Sequence, residues 1–178
     1  MKIAVYGAAF NPPHKGHMDA VSQLLEEFEL VFLVPSVSHA FGKNMLPVEE
    51  RMEMLGIIIS EFYADEKRIK VENIESEVQE SLGSERVYSY DLLSFLNSRN
   101  PENQFVLAIG PDNARPEIWN KFYKNREIED EFGFFVVSER KPIRSTYVRD
   151  LCLDEYKNLT EMLGERLAGH IINRGYYS

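Results

Sequence analysis

The sequence predicts an α/β protein, a three-layer, doubly wound parallel sheet. Continuous apolar runs of strand length alternate with segments of helical spacing, which is the pattern of parallel strands covered on both faces. The chain has 178 residues, of which 44% are hydrophobic, enough to bury one core, and it contains no repeat or low-complexity linker. We therefore expect a single domain over 1–178.

The opening segments predict a βαβ unit. Strand Lys2–Tyr6 leads into a turn of small residues and prolines, a helical pattern begins near His17, and a second apolar run follows at Leu30–Val34. After a polar loop, a helix is predicted from Pro47, with acids in its first turn, and then a short strand at Ile69–Val71.

The second half continues the alternation. Glu72–Glu85 is rich in glutamate and is predicted to be an exposed loop, and Val87–Leu96 is predicted to be a helix. The apolar runs Gln104–Ile109 and Phe132–Val137 are the next strands. Helical spacing fills the tail from Thr146 to about residue 172.

Charge and composition exclude several classes of function. The net charge is −9, which argues against an extended nucleic-acid surface, because phosphate backbones need a basic footprint. Cys152 is the sole cysteine and is expected to pack as a small apolar side chain. No apolar run is long enough for a signal peptide or a membrane span, so we expect a soluble, cytoplasmic protein without a membrane partner.

The turn after the first strand has the features of a phosphate-binding loop. Residues 7–9 carry little side chain, so their backbone is open to a bulky ligand. His14 and His17 lie three residues apart where the helix begins, so that both imidazoles can face one point, and Gly16 leaves that point unobstructed. A helix N-terminus also attracts anions through its free N–H groups.

Two other interpretations of the histidines stay open at this stage: a metal site, whose acidic third ligand could come only from Asp19, or two ordinary surface side chains. Phosphate binding is favoured, because two of the chain's four histidines occur in one glycine-containing loop behind a strand.

The segment from Gly7 to His17 resembles the G-x-F-[DN]-P-x-H-x-G-H signature of the nucleotidyltransferase superfamily, whose fold is similar to the catalytic core of class I aminoacyl-tRNA synthetases. The resemblance implies a Rossmann-like fold in which His14 and His17 contact the ATP phosphates and stabilise charge at the α-phosphorus. The ATP-binding residues that it implies are Gly7, Ala8, Ala9, Phe10, Gly16, Gly110, Asp112, Ser145 and Thr146.

A second segment, Ile143 to Arg149, resembles the family's I-S-S-T-x-I-R motif. Ser145 or Thr146 is expected to cap a helix and to face phosphate, and Arg149, one turn later, adds a fork of donors and is the third predicted catalytic residue. The sequence departs from the family pattern in two ways: Arg144 stands where the family commonly has serine, and the segment before Ile143 is unusually short.

Gly110-Pro111-Asp112-Asn113 followed by Trp119 resembles the G-x-D…W arrangement of nicotinate mononucleotide adenylyltransferases, in which the tryptophan stacks on the pyridine ring. The closing segment 169–177 is similar to the C-terminal pattern of the same branch. The residues predicted to bind the mononucleotide are Asn11, Lys43, Arg51, Trp119 and Arg140.

The resemblance implies that a pyridine mononucleotide attacks the α-phosphorus of ATP and releases pyrophosphate, with Mg²⁺ carried by the ATP phosphates. The alternatives are transfer to another phosphate such as phosphopantetheine, use of CTP with an alcohol phosphate, and a non-catalytic nucleotide-sensing module. A synthetase is excluded, because the chain has neither an anticodon domain nor a basic face. The sequence leaves open the choice between nicotinate and nicotinamide mononucleotide and whether the chain forms a homo-oligomer.

Overall fold

A computed structural model of the chain describes residues 1–37 and 45–178. Within these ranges a single parallel sheet has five strands in the order β3-β2-β1-β4-β5. The strands are β1 (Lys2–Ala8), β2 (Leu30–Pro35), β3 (Ile69–Val71), β4 (Gln104–Ile109) and β5 (Phe134–Val136). The predicted doubly wound α/β fold is confirmed.

Helices cover both faces of the sheet. Those found in the described ranges are α1 (Lys15–Glu27), α2 (Val48–Phe62), α3 (Ile74–Leu82), α4 (Ser89–Arg99), α5 (Pro111–Ala114), α6 (Pro116–Trp119), α7 (Asn125–Glu131), α8 (Ser145–Leu153), α9 (Leu159–Leu163) and α10 (Glu165–Arg174). None of these helices is both long and apolar enough to cross a bilayer.

The sheet separates two buried clusters, which gives the predicted three layers. On one face α1, α2 and the C-terminal helices α8 to α10 pack on side chains such as Ala4 and Leu33. On the other face α3, α4 and α7 pack on alternate strand residues such as Val5 and Leu107. Cys152 is buried in the first cluster as expected, and burial raises the pKa of its thiol to about 11.

Two element predictions were wrong. Most of the predicted loop Glu72–Glu85 is helix α3, which buries only Ile74 and Val78, one turn apart. The tail is not continuous helix: α8 ends at Leu153, left-handed backbone follows at Glu155, Tyr156 and Asn158, and Gly164 (φ +84°) separates α9 from α10.

The order of the strands decides where a ligand can bind. Strand β1 pairs with β2 on one side and with β4 on the other, so the chain leaves β1 toward β2 and later crosses back to β4. At such a switch point the loops after two neighbouring strands diverge and open a crevice at the carboxyl edge of the sheet.

Candidate active site

A cavity of about 560 Å³ opens at the carboxyl ends of β1 and β4. It is lined by the turn after β1, the start of α1, the segment after β4, and the segment that joins β5 to α8. Nine of the predicted site residues line it: Gly7, Ala8, His14, Gly16, His17, Gly110, Asp112, Arg140 and Ser145.

The two histidines form a reciprocal cap on α1. The Nδ1 atom of His14 accepts hydrogen bonds from the backbone N–H groups of Gly16 (3.1 Å) and His17 (3.4 Å). The Nδ1 atom of His17 accepts from the backbone N–H of His14 at 3.1 Å. Because an accepting ring nitrogen carries no proton, both neutral rings must carry it on Nε2.

Burial keeps both imidazoles neutral. It lowers the pKa of His14 to about 4, with a further contribution from the positive charge of Arg144. Burial also lowers the pKa of His17 well below its ordinary value, and proximity to His14 adds to the effect. The rings are stacked with centroids 3.8 Å apart, so two positive charges there would repel each other. At neutral pH the pair offers the cavity two uncharged N–H donors.

Gly16 is required by the close approach of the loop to its surroundings. A Cβ atom at this position would lie 2.9 Å from the His14 ring and 3.1 Å from the carbonyl oxygen of Lys141. Contacts this short force the ring or the backbone to move. The glycine predicted to leave the phosphate point open therefore also allows the His14 ring to occupy its position.

Beneath the phosphate loop, buried groups hold its turn. Phe10 has left-handed backbone (φ +49°), an unusual conformation for a residue with a side chain. Its ring is 1% exposed and packs against His17 with centroids 4.8 Å apart. The side chain of Asn11 accepts hydrogen bonds from Leu46 N–H and from the hydroxyl of Tyr177. Of the described loop residues, Ala9, Phe10 and Asn11 lie outside the cavity lining, and their substrate contacts stay predictions.

The second motif supports the loop from the side of α8. Arg149 donates to the carbonyl oxygen of Asn11 at 2.7 Å and to the hydroxyl of Thr146. The prediction of a capping hydroxyl was wrong: α8 begins at Ser145, whose hydroxyl donates to the Pro12 carbonyl. Thr146 and Arg149 are not among the described residues that line the cavity. Their contacts with substrate stay predictions.

The residues predicted to bind the mononucleotide, where the structure describes them, do not all lie at the cavity. The buried guanidinium of Arg51 donates to the carbonyl oxygens of Ala9 and Leu46, both at 2.7 Å. Arg140 lines the cavity but pairs with Asp19, the same carboxylate that a metal site would need. Lys43 lies outside the described residues. For all three, phosphate binding stays a prediction.

Trp119 packs inside the protein. It is 6% exposed and lies between Phe122 and Phe134, with ring centroids 4.9 and 4.7 Å away. Its indole N–H donates to Glu129. Phe122, rather than Trp119, lines the cavity, so stacking of Trp119 on a pyridine stays a prediction.

Several residues of the cavity were not predicted from the sequence. Glu75 on α3, Ser89 at the start of α4, Phe122, Glu139 and Arg144 all line the cavity. Burial raises the pKa of Glu75 to about 7, although the N–H of Val37 and the charge of Arg51 oppose the shift. Glu75 was missed because the segment of helix α3 was predicted to be a loop. Ser89 was missed because helix α4 was predicted to begin at Val87 rather than at Ser89. Arg144 did carry a signal, because it departs from the motif.

The fold and the site together define a class of protein. A switch-point crevice with neutral imidazole donors at a helix start, next to several cationic side chains, is suited to bind a nucleotide by its phosphates and to stabilise charge as one of them is transferred. The protein is therefore a nucleotidyltransferase.

The chain belongs to the cytidylyltransferase-like family, whose model matches residues 5–151. A protein of Endomicrobium trichonymphae, curated as a probable nicotinate-nucleotide adenylyltransferase, is 27% identical over 99% of this chain and 98% of its own length. A protein of Myxococcus xanthus with the same name is 30% identical over 85% of this chain and 82% of its own length.

Solved structures agree with this membership. The chain is similar to the crystal structure of a Vibrio parahaemolyticus protein described as a nicotinate-nucleotide adenylyltransferase, with a TM-score of 0.82, 28% identity, and coverage of 97% of this chain and 99% of that one. A Plasmodium falciparum nicotinic acid mononucleotide adenylyltransferase, solved with NaAD, superposes with a TM-score of 0.75 at 17% identity, over 99% of this chain and 97% of that one. The second likeness is one of fold alone.

Proposed function

We propose that the chain transfers AMP from ATP to nicotinate mononucleotide, or to its nicotinamide counterpart, and so forms the dinucleotide of NAD biosynthesis and releases pyrophosphate. The observation that carries the proposal is the pair of Nε2–H donors, set by the reciprocal cap of His14 and His17 at the edge of the crevice. The names of the curated relatives support nicotinate as the acceptor base.

The mechanism needs no covalent intermediate. The 5′-phosphate of the mononucleotide attacks the α-phosphorus of ATP in line with the departing pyrophosphate. The Nε2–H groups of His14 and His17 donate to the non-bridging oxygens of the α-phosphate in the transition state, while the electron pair of the breaking P–O bond passes to pyrophosphate. Donors that are already oriented cost no reorganisation at that moment. Arg149 acts indirectly, because its bond to the Asn11 carbonyl holds the loop that bears both histidines.

ATP enters this site as its Mg²⁺ complex, and the ion neutralises part of the charge on the phosphates. The carboxylates of Glu75, Asp112 and Glu139 line the cavity, so an Mg²⁺ ion that enters with ATP would find oxygen donors on the protein as well as on the phosphates.

We place the pyridine ring on the side of the cavity formed by the start of α4 and the segment after α6. Val87, Leu92 and Phe122 supply an apolar lining there, and Ser89 adds a hydroxyl. An aromatic ring lying on such a surface buries one of its faces against apolar side chains at little polar cost. Trp119 packs directly on Phe122, so its fluorescence reports on a ligand at Phe122 even if the indole does not touch the pyridine.

The test is pyrophosphate release with ATP and Mg²⁺, with nicotinate mononucleotide, nicotinamide mononucleotide and phosphopantetheine offered in parallel. Release with a pyridine mononucleotide, accompanied by a change in Trp119 fluorescence on binding, is the expected result. Release only with phosphopantetheine would show that phosphopantetheine, rather than a pyridine mononucleotide, is the acceptor. ATP binding without turnover on any acceptor would favour a nucleotide-sensing module.

A further inference from the structure

Arg144 spans the mouth of the cavity. It immediately precedes α8, and its guanidinium pairs with two carboxylates, Asp112 Oδ2 at 3.2 Å and Glu139 Oε1 at 2.6 Å. Asp112 follows β4 and Glu139 follows β5, so the arginine connects the loops after two neighbouring strands. Its side chain is 59% exposed, and both ion pairs are therefore open to solvent.

The same guanidinium also lies within electrostatic reach of the phosphate loop. Its positive charge is the second cause, after burial, of the low pKa of His14. A cation that influences the His14 imidazole is close enough to act on an anion bound to it. The start of α8 adds its own free N–H groups beside Arg144, and these favour an anion at the same place.

The two carboxylate partners are replaceable. Ion pairs at this level of exposure contribute little to stability, whereas an arginine fork binds phosphate oxygens through paired, charge-assisted hydrogen bonds. A polyphosphate carries more charge than either carboxylate and can take the same N–H donors. Without ligand, Asp112 and Glu139 hold the guanidinium extended over the cavity.

We propose that Arg144 binds the outer phosphates of ATP, and pyrophosphate as it leaves, by exchanging its carboxylate partners for phosphate oxygens. The assignment rests on the proposed function for its place in the reaction, but the binding step involves the polyphosphate alone. The proposal makes Arg144 a substrate-binding residue at a position where the nucleotidyltransferase superfamily commonly has serine.

Equilibrium titration with inorganic pyrophosphate tests the proposal without an acceptor. Arg144→Ser is expected to bind pyrophosphate about tenfold more weakly than the wild type, as the loss of a charged hydrogen-bonding partner implies, and Arg144→Lys is expected to fall between the two. Arg115→Ser is the matched control: Arg115 is 57% exposed, pairs with Glu117, and is not among the described residues that line the cavity. It should bind as the wild type does.

Steady-state kinetics then assigns the effect to one substrate. Arg144→Ser is expected to raise KM for ATP and to leave KM for the mononucleotide unchanged, with an unaltered melting temperature. Unchanged pyrophosphate binding in Arg144→Ser, no pyrophosphate binding to the wild type, or an effect on the mononucleotide alone would each overturn the proposal. If no acceptor supports turnover, the function proposed above fails while the pyrophosphate titration still decides the role of Arg144.

Discussion

At the scale of single residues, the chemistry depends on which nitrogen of each imidazole carries the proton. The backbone N–H groups at the start of α1 occupy Nδ1 of both rings, and burial keeps the rings neutral. One set of hydrogen bonds therefore starts the helix and orients the two Nε2–H donors. In the proposed reaction, folding and catalysis use different atoms of the same side chains.

Two substitutions of His17 separate these uses. The side-chain oxygen of His17→Asn can replace Nδ1 as acceptor for His14 N–H, but it offers no donor at the Nε2 position. We expect kcat to fall about 10²- to 10³-fold, the usual effect of losing one such donor, with little change in melting temperature. His17→Ala should lose the same activity and also some stability, because the cap is removed. Near-normal turnover in either variant would contradict the assignment of His17 as a catalytic donor.

Gly16→Ala tests the packing of the loop. The added methyl group must displace the His14 ring or the Lys141 carbonyl, and a misplacement of about 1 Å can cost roughly 10²-fold in rate. We expect a large loss of kcat/KM. Gly56→Ala is the control, since nothing lies within 4 Å of a Cβ atom there; in helix α2 it should stabilise by up to about 1 kcal/mol. Equal activity in the two variants would contradict the account.

Residue types could be predicted from the sequence, but the directions of their side chains could not. The motif located His14 and His17 correctly at the crevice. It could not show that Arg51 bonds backbone carbonyls, that Arg149 bonds Asn11, or that Trp119 packs behind Phe122. Each of these depends on neighbours distant in sequence, which a local pattern does not contain.

At the scale of elements, the apolar runs of the strands were predictable, including the three-residue β3 (Ile69–Val71), whereas a mainly polar helix and the breaks in the tail were not. Strands β1, β2 and β4 contain dense runs of buried residues, whereas β3 and β5 are only three residues long and are partly exposed. Helix α3 buries only Ile74 and Val78, and its remaining apolar residue, Leu82, is exposed. Its apolar stripe is therefore too narrow to distinguish the segment from a charged loop. The breaks in the tail depend on left-handed backbone at Glu155, Tyr156 and Asn158, which short polar runs indicate only weakly.

The C-terminal segment of the chain contacts the phosphate-binding loop that follows β1. The hydroxyl of Tyr177 donates to Asn11 Oδ1 at 2.6 Å, whereas the hydroxyl of the neighbouring Tyr176 interacts with Glu50 on helix α2. We expect Tyr177→Phe to lose about 1 kcal/mol of stability and to lower kcat several-fold as the loop loosens. Tyr176→Phe should leave kcat unchanged, because the Tyr176 hydroxyl does not bond Asn11. Chemical denaturation and steady-state kinetics of the pair would refute this role if the two variants behaved alike.

At the scale of the whole molecule, the doubly wound topology explains the place of the site. Alternating strands and helices predict this class, and the class puts the ligand where β1 and β4 diverge. In a chain with a net charge of −9, the cations Arg140, Lys141 and Arg144 all line that crevice. Glu75, Asp112 and Glu139 line it as well, so the cations offset the acidic side chains locally, although the chain as a whole is strongly acidic.

The buried carboxyl of Glu75 makes stability depend on pH. Burial raises its pKa from 4.5 to about 7, so between these values the folded protein keeps a proton that the unfolded chain has lost, and stability falls as pH rises through this window. His14 acts in the opposite sense: with its pKa lowered to about 4, the stability that it contributes is lost as pH falls below about 6.5.

Glu75→Gln isolates the first effect. The variant should gain stability relative to the wild type as pH rises from about 5 to 8, by on the order of 1–3 kcal/mol, measured by urea unfolding at each pH. Glu80→Gln, an exposed change on the same helix, should shift stability by no more than about 0.5 kcal/mol at either pH. A difference between Glu75→Gln and the wild type that does not grow with pH would contradict the assignment.

Direct transfer between two bound nucleotides is the central claim, and its stereochemistry tests it most directly. The measurement is the configuration at the α-phosphorus when the chain converts ATP made chiral at that phosphate, together with nicotinate mononucleotide, into the dinucleotide. A single in-line displacement predicts inversion. Retention would reveal a covalent adenylyl-enzyme intermediate and contradict the account, and the absence of any dinucleotide would contradict the proposed function itself.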